Sequence, residues 1–266
     1  MDQQQYFDEN QASWDAKVDI HKDSSFYDIE GFKQGKSSLI GPEVNELGGV
    51  AGKSMLHLQC HFGMDTLSWA RRGAKAVGVD FSPKAIELAK SLNMEEEHTA
   101  QFILSSVYDL KQHLSGQFDI IFTSYGTIGW LPDLDKWAEI VAYFLKPGGT
   151  FYMIDFHPVV WMLDEANMSD LKYSYFNKGV ITTEEKTYTE NAESHKSFTE
   201  HGWNHPTSDL LTSLSNQNLR LKFYHEFDYS TYDCFANIVE TGENQWQIKG
   251  KEGIVPMMYS LMMIKE

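Results

Sequence analysis

Residues Met55 to Lys90, MLHLQCHFGMDTLSWARRGAKAVGVDFSPKAIELAK, constrain the fold more than any other stretch of this chain. Met55–Leu58 is an apolar run of strand length, Cys60–Gly63 reads as a turn, and Asp65 opens an amphipathic helix that reaches Arg72. A second apolar run, Ala76–Val79, ends on Asp80. Two short apolar runs around one helix read as a βαβ unit, and such crossovers are almost always right-handed, which brings the tip of the second strand beside the first turn. A carboxylate at that tip suits the paired hydroxyls of a ribose, so a nucleoside-bearing ligand is expected.

The turn narrows the choice of nucleoside. A pyrophosphate needs glycines so that bare backbone can approach it. In the register of a Gly-x-Gly-x-Gly fingerprint the first two positions here are Gln59 and His61, and only Gly63 is a glycine. That disfavours NAD. S-adenosylmethionine carries an amino-acid tail where a dinucleotide carries phosphate, and it is the expected ligand.

The pattern continues downstream. Phe102–Leu104 reads as a third strand ending at Ser105-Ser106, and Phe118–Phe122 as a fourth that runs into Thr123-Ser124-Tyr125-Gly126. Leu134, Trp137, Ile140, Val141, Phe144 and Leu145 recur at helical spacing. The helix stops at Lys146-Pro147-Gly148-Gly149, and Thr150–Asp155 is a fifth strand candidate. Residues 54–158 resemble the core of a class I S-adenosylmethionine-dependent methyltransferase. HLQCHFGMDT resembles a variant glycine loop of one bacterial subgroup, FDIIFTSYG the fourth-strand motif, and LKPGGTFYMIDFHP the helix–turn–fifth-strand motif. The likeness extends into WDAKVDIHKDSSFYDIEGF and the HGWNH run at 201–205. The chain departs from the family at His57, where Asp or Glu is usual, at Gln59 and His61, and at Ser106, where an Asp often meets the adenine amino group.

The resemblance implies an α/β fold: a doubly wound, Rossmann-like, mostly parallel seven-stranded sheet closed by a C-terminal antiparallel hairpin. The organisation expected is a single domain over 1–266, with an N-terminal helical cover (1–45), a donor-binding core (46–158), a lid insertion between strands 5 and 6 (159–218) and the final sheet strands (219–266). Within the insertion, Gly179–Thr189 alternates weakly, as an exposed hairpin would, and Thr207–Leu214 reads as a short helix. Leu219–Phe227 and Met257–Ile264 are the late strands.

Composition bounds the partners. A net charge of −16 argues against a nucleic-acid substrate and an anionic membrane surface. The N-terminus, MDQQQYFDENQ, has no apolar core of a signal peptide, and no run of about eighteen apolar residues occurs. Two cysteines are too few for a disulfide scaffold. A cytoplasmic protein acting on a small-molecule acceptor is expected.

The expected donor contacts are Gln59, Cys60, His61, Gly63 and Asp65 around the methionine tail, and Asp80 on the ribose. Phe81, Ser82, Ser105, Ser106 and Val107 follow around the adenine, and Ser124, Tyr125 and Gly126 near the sulfonium. Asp65 reads equally as a helix-start acid, Ser82 as a helix cap before Pro83, and His57 as a core histidine. Tyr125, His157 and His205 are the catalytic candidates, because an aromatic face favours a cation and an imidazole can take a proton near neutral pH. No metal is expected, since His57, Cys60 and His61 do not form a tetrahedral set on a strand end and a turn. The rival readings are a non-catalytic donor-binding module and a nucleotide-dependent oxidoreductase.

Overall fold

The computed structural model describes residues 3–97, 99–185, 187, 189 and 197–266. In chain order come helices α1 (Gln3–His21), α2 (Ile29–Lys33) and α3 (Glu43–Leu47), then strand β1 (Ser54–Leu58), α4 (Met64–Arg71), β2 (Lys75–Asp80), α5 (Pro83–Met94), β3 (Gln101–Leu104) and β4 (Phe118–Ser124). The second half continues with α6 (Leu134–Phe144), β5 (Leu145–Phe156), β6 (Ile181–Glu185), β7 (Phe198–Gly202), α7 (Thr207–Ser215), β8 (Leu219–Phe227), β9 (Ile238–Gly242), β10 (Gln245–Ile248) and β11 (Met258–Lys265).

A seven-stranded sheet has the order β3-β2-β1-β4-β5-β11-β8. β1 pairs in parallel with β2 and β4, and β2 with β3, while β11 is antiparallel to both β5 and β8. This is the mostly parallel sheet with an antiparallel end that was expected. β1, β2 and β4 are buried on nearly every residue, as inner parallel strands covered on both faces must be, while β3 at the sheet's edge is half exposed. Gly78 in β2 permits that packing: a Cβ there would lie 2.8 Å from the Phe102 ring and 2.9 Å from Cys60 Sγ.

Local signals set the helix ends. Ser82 caps α5 by accepting the Ala85 N–H at 3.1 Å, with Pro83 at the first helical position. Asp133 caps α6 by accepting the Lys136 N–H at 3.0 Å. Helix α6 ends one residue earlier than its apolar spacing suggests. Leu145 is already extended, and β5 starts there rather than at Thr150, because the approach to Pro147 disfavours helical backbone. The weak alternation at Gly179–Thr189 is β6, whose partner is β7, farther along the chain than a tight hairpin would place it. The rest of that expectation, at 186 and 188, lies outside the described residues. A second hairpin, β9 with β10, has no counterpart in the sequence reading.

The chain forms two compact units. The first comprises the residues up to Leu39, Gly49–Phe122 and Ile181–His201, and the second Ile40–Gly48, Thr123–Val180 and Gly202–Glu266. The first unit packs Phe32, Phe62, Leu67, Ile86 and Phe102 into one cluster. In the second, Val160, Leu163, Met168, Ile248 and Met257 form another.

Candidate functional site

In the first unit the register of β1 on β2 places Leu58 beside Val79, and the Cys60 N–H continues the ladder to the Val79 carbonyl at 2.9 Å. The chain then turns through three left-handed residues: Gln59 at φ 56°, His61 at φ 50° and Gly63 at φ 80°. These are the three positions a glycine fingerprint would fill. The backbone therefore has a glycine-loop path although two of its residues carry side chains, at a cost of about 1–2 kcal/mol each. The His61 ring packs among Trp14, His21, Tyr27 and Phe62, with ring centres 4.1–5.4 Å away. Its Nε2 is buried without a hydrogen-bond partner, and burial holds its pKa well below the usual value, so the ring is neutral.

Asp80, at the end of β2, is 8% exposed. Its Oδ2 accepts the His61 N–H at 2.8 Å and its Oδ1 the Ser82 N–H at 2.9 Å, and the Phe81 N–H lies near enough to favour the ionised form. Burial outweighs these bonds and pushes its pKa up to about 6. A carboxylate offers about four lone-pair sites, so three backbone donors leave room for a ligand hydroxyl.

The other first-unit residues surround that acid. Asp80 pairs with Leu104 of β3, and the Ser105 N–H donates to the Asp80 carbonyl at 2.9 Å, so the tips of β1, β2 and β3 meet there. The Ser105 hydroxyl donates to the Ser106 carbonyl at 2.7 Å, and Ser106 Oγ accepts the Tyr108 N–H at 3.2 Å ahead of the buried Val107. Phe81 is half-buried, and its carbonyl takes a bond from Gln11 at 2.6 Å. Cys60 is buried and burial raises its thiol pKa, so it is a packing residue rather than a thiolate. Asp65, in the first turn of α4, accepts the Ser38 hydroxyl at 2.7 Å. His57 Nδ1 bonds Thr66 Oγ1 at 2.8 Å, and burial lowers its pKa to about 3, so it ties β1 to α4 as a neutral ring.

In the second unit β4 ends at Ser124, and the chain turns through Tyr125 at φ 42° and Gly126 at φ 71°. Asp155 holds this turn. Its carboxylate accepts the N–H groups of Gly126, Thr127, Ile128 and Phe156 and the Thr127 hydroxyl, at 2.5–3.3 Å. The Tyr125 hydroxyl donates to Oε2 of the fully buried Glu43 at 2.8 Å, and its ring meets Tyr232 edge-on at 4.8 Å. Gly41 makes that bond possible, because a Cβ on it would lie 2.1 Å from the Tyr125 hydroxyl.

Gly202–His205, the last four residues of the HGWNH run, lie along the same turn. The Trp203 N–H donates to the Gly129 carbonyl at 2.8 Å, and Asn204 Nδ2 donates to the Pro158 carbonyl at 3.1 Å. His205 Nε2 donates to the Leu131 carbonyl at 2.7 Å, the Ile128 carbonyl also lies near enough to the ring to favour its charged form, and burial outweighs both and lowers its pKa. His157 is committed at both nitrogens: Nδ1 accepts the Val159 N–H at 3.2 Å and Nε2 meets Glu226 Oε1 at 3.0 Å. Burial lowers its pKa despite Glu226. His201 lies in the first unit, fully buried between Glu9 at 2.6 Å and Thr182 at 2.9 Å.

Thus the first unit gathers Gln59 through Gly63, Asp80 through Ser82 and Ser105 through Val107 around one end of its strands, and Ser124 through Gly126 belong to the second unit with His157 and His205. Among the described residues no three of His, Cys, Asp or Glu stand as a metal set. Sequence reasoning missed Gln11, Asp15 and Glu43. Their polarity marked them as surface residues of a cover, and only long-range pairing gives them partners.

These features define the fold as that of the class I methyltransferases. Residues 55–149 match the family described as "Methyltransferase domain". A ubiquinone biosynthesis O-methyltransferase of Acinetobacter baylyi is 34% identical over 104 residues, which cover 38% of this chain and 43% of that protein. The chain thus spans less than half the length of that curated relative. An S-adenosylmethionine dependent methyltransferase from Mesorhizobium loti superposes with a TM-score of 0.57 at 17% identity, over 88% of this chain and 100% of that one. The geranyl diphosphate C-methyltransferase from Streptomyces coelicolor, solved with S-adenosyl-L-homocysteine, gives 0.51 at 13% identity, over 84% and 76%. Among the described residues no helix is long and apolar enough to cross a membrane.

Proposed function

We propose that the chain transfers a methyl group from S-adenosylmethionine to an oxygen, nitrogen or sulfur atom of a small-molecule acceptor. The observation that carries this reading is Asp80. A buried acid with spare acceptor capacity stands at the β2 tip, beside a loop whose left-handed residues follow the path of a glycine fingerprint. Asp80 would hold the ribose, the Gln59–Gly63 backbone the methionine tail, and Ser105 to Val107 the adenine edge. When bound, the sulfonium supplies an electrophilic methyl group.

The candidate proton acceptors are residues of the second unit. His205, with its lowered pKa, is neutral at pH 7 and can take a proton. Tyr125, whose pKa burial raises, stays protonated and donates to Glu43. His157 would have to break its hydrogen bond with the Val159 N–H before it could accept a proton. The net charge of −16 and the small-molecule chemistry in the relatives' names support a small acceptor over a nucleic acid. Calorimetry with S-adenosylhomocysteine tests the donor site: the unsubstituted chain should bind it and Asp80→Ala should bind it at least about tenfold more weakly. Equal binding by both removes Asp80 from the site. The committed nitrogens of His157 favour a second reading, a donor-binding protein without catalysis, which tritiated donor with a metabolite extract tests: a labelled product rules it out.

A further inference from the structure

Helix α1 is held to its unit by an unusual face. Its buried residues are Asn10, Ser13, Lys17, Val18 and His21, only one of them apolar. Half-buried Tyr6, Phe7 and Trp14 pack against the rings of His201, Tyr108 and His61, and hydrogen bonds and ion pairs supply the rest of its seating. Toward β7, Asn10 exchanges two bonds with the His201 backbone, at 2.8 Å each, and Ser13 and Lys17 both reach Glu200 at 2.5 Å. Toward the turn after β2, Gln11 donates to the Phe81 carbonyl at 2.6 Å. Asp15 accepts the Ser82 hydroxyl at 2.5 Å and the Lys84 N–H at 3.3 Å, and Lys84 Nζ meets Asp19 at 2.5 Å.

These contacts run directly into the acid of the site. Asp15 holds Ser82, the Ser82 N–H holds Asp80 Oδ1, and Asp80 Oδ2 holds the His61 N–H. One residue of α1, Trp14, also packs edge-on against the His61 ring at 5.3 Å. The turn that presents Asp80 is therefore shaped from one side by β2 and from the other by α1. The polar part of this anchor is the part that reaches the 80–82 turn, and each of its bonds, if lost to the protein, is largely replaced by water.

We propose that Gln11 and Asp15 are positioning residues for the donor's ribose, and that seating of α1 and binding of the donor are linked, each strengthening the other. This rests on the donor reading of Asp80. A ligand that binds only the held form of the 80–82 turn favours the seated helix by the same factor as the seated helix favours the ligand. The loss expected on removing one such contact is about tenfold in affinity, the worth of one well-formed hydrogen bond.

The test uses the full chain with S-adenosylhomocysteine as probe. Titration calorimetry should show affinity about tenfold weaker in Gln11→Ala and in Asp15→Ala. Asp15→Asn, which keeps an oxygen for Ser82, should restore most of it. Gln5→Ala, at an exposed position of the same helix, should leave it unchanged. In the unsubstituted chain the probe should slow amide hydrogen exchange along α1, an effect that disappears in Asp80→Ala. The proposal is overturned if the probe binds yet leaves α1 exchange unchanged, or if the double variant Gln11→Ala/Asp15→Ala binds it within twofold of the original. Should a variant fail to fold, the exchange experiment on the unsubstituted chain decides alone. A probe that never binds the unsubstituted chain sinks the donor reading as well, which separates the two failures.

Discussion

Asp80 in the first unit and Asp155 in the second both stand at the end of a strand, and both accept backbone N–H groups from a turn containing a left-handed residue. They differ in how fully they are used. Asp155 accepts four backbone N–H groups and one hydroxyl, which fills a carboxylate's four or so lone-pair sites. Asp80 accepts from three backbone groups and keeps acceptor capacity in reserve. Burial raises the pKa of both. The same sequence sign, an acid where an apolar run stops, thus marks a saturated structural clasp in one unit and, in the other, an acid with acceptor capacity to spare, which the proposed function assigns to a ligand.

The sharpest way to break this contrast is to delete each acid. Asp155→Ala leaves five donors without their acceptor, and the urea midpoint should report a loss of about 3–4 kcal/mol. Asp80→Ala should cost much less stability, because it also removes a charge from a buried site. Its effect should fall on S-adenosylhomocysteine affinity, reduced by about ten- to a hundredfold, the worth of one charge-assisted bond. If the two variants lose stability equally, the distinction between clasp and recognition group collapses.

A pH series sharpens the same contrast. Burial holds the folded-state pKa of Asp80 at about 6, against 3.8 for an ordinary aspartate. Between those two values the folded chain takes up a proton that the unfolded chain does not, so this residue's contribution to stability improves as pH falls from 6 toward 4, by about 3 kcal/mol in all. Donor binding moves the other way. Protonation removes the acceptor a ribose hydroxyl needs, so affinity should fall up to about tenfold per unit below pH 6. Subtracting the curves of Asp80→Asn isolates both trends. A binding curve flat from pH 7 to 5 contradicts an ionised Asp80 in the site.

The sequence carried the sheet, and the meeting of Asp80 with the first turn, for physical reasons. Parallel strands buried on both faces announce themselves as unbroken apolar runs, and the crossover rule then places Asp80 beside the first turn. Ser82 and Pro83 were legible as a cap because capping is a local bond. Glu43, Asp15 and Gln11 were not legible. Each meets its partner across 67 to 82 residues of chain, and no short-range pattern records a bond such as Tyr125 to Glu43. The same holds for His157. Its identity suggested a base, but the Val159 N–H and Glu226 that occupy its nitrogens come from the fold.

The smallest effect concerns the price of the left-handed turns. Gln59 at φ 56° and Tyr125 at φ 42° stand in backbone conformations that glycine adopts without steric cost. Gln59→Gly relieves that strain but adds entropy to the unfolded chain, and the balance should be a gain of about 0.5 kcal/mol in urea denaturation. Tyr125→Gly relieves the same strain and also removes the bond to Glu43 and the ring against Tyr232, so it should lose about 1–2 kcal/mol. Opposite signs mean that the first turn tolerates its side chain for reasons outside stability, while the second turn uses its side chain as a strut. Two gains would show the Tyr125–Glu43 bond to be energetically idle. Two losses would show that Gln59, like Tyr125, contributes more through its side chain than its backbone strain costs.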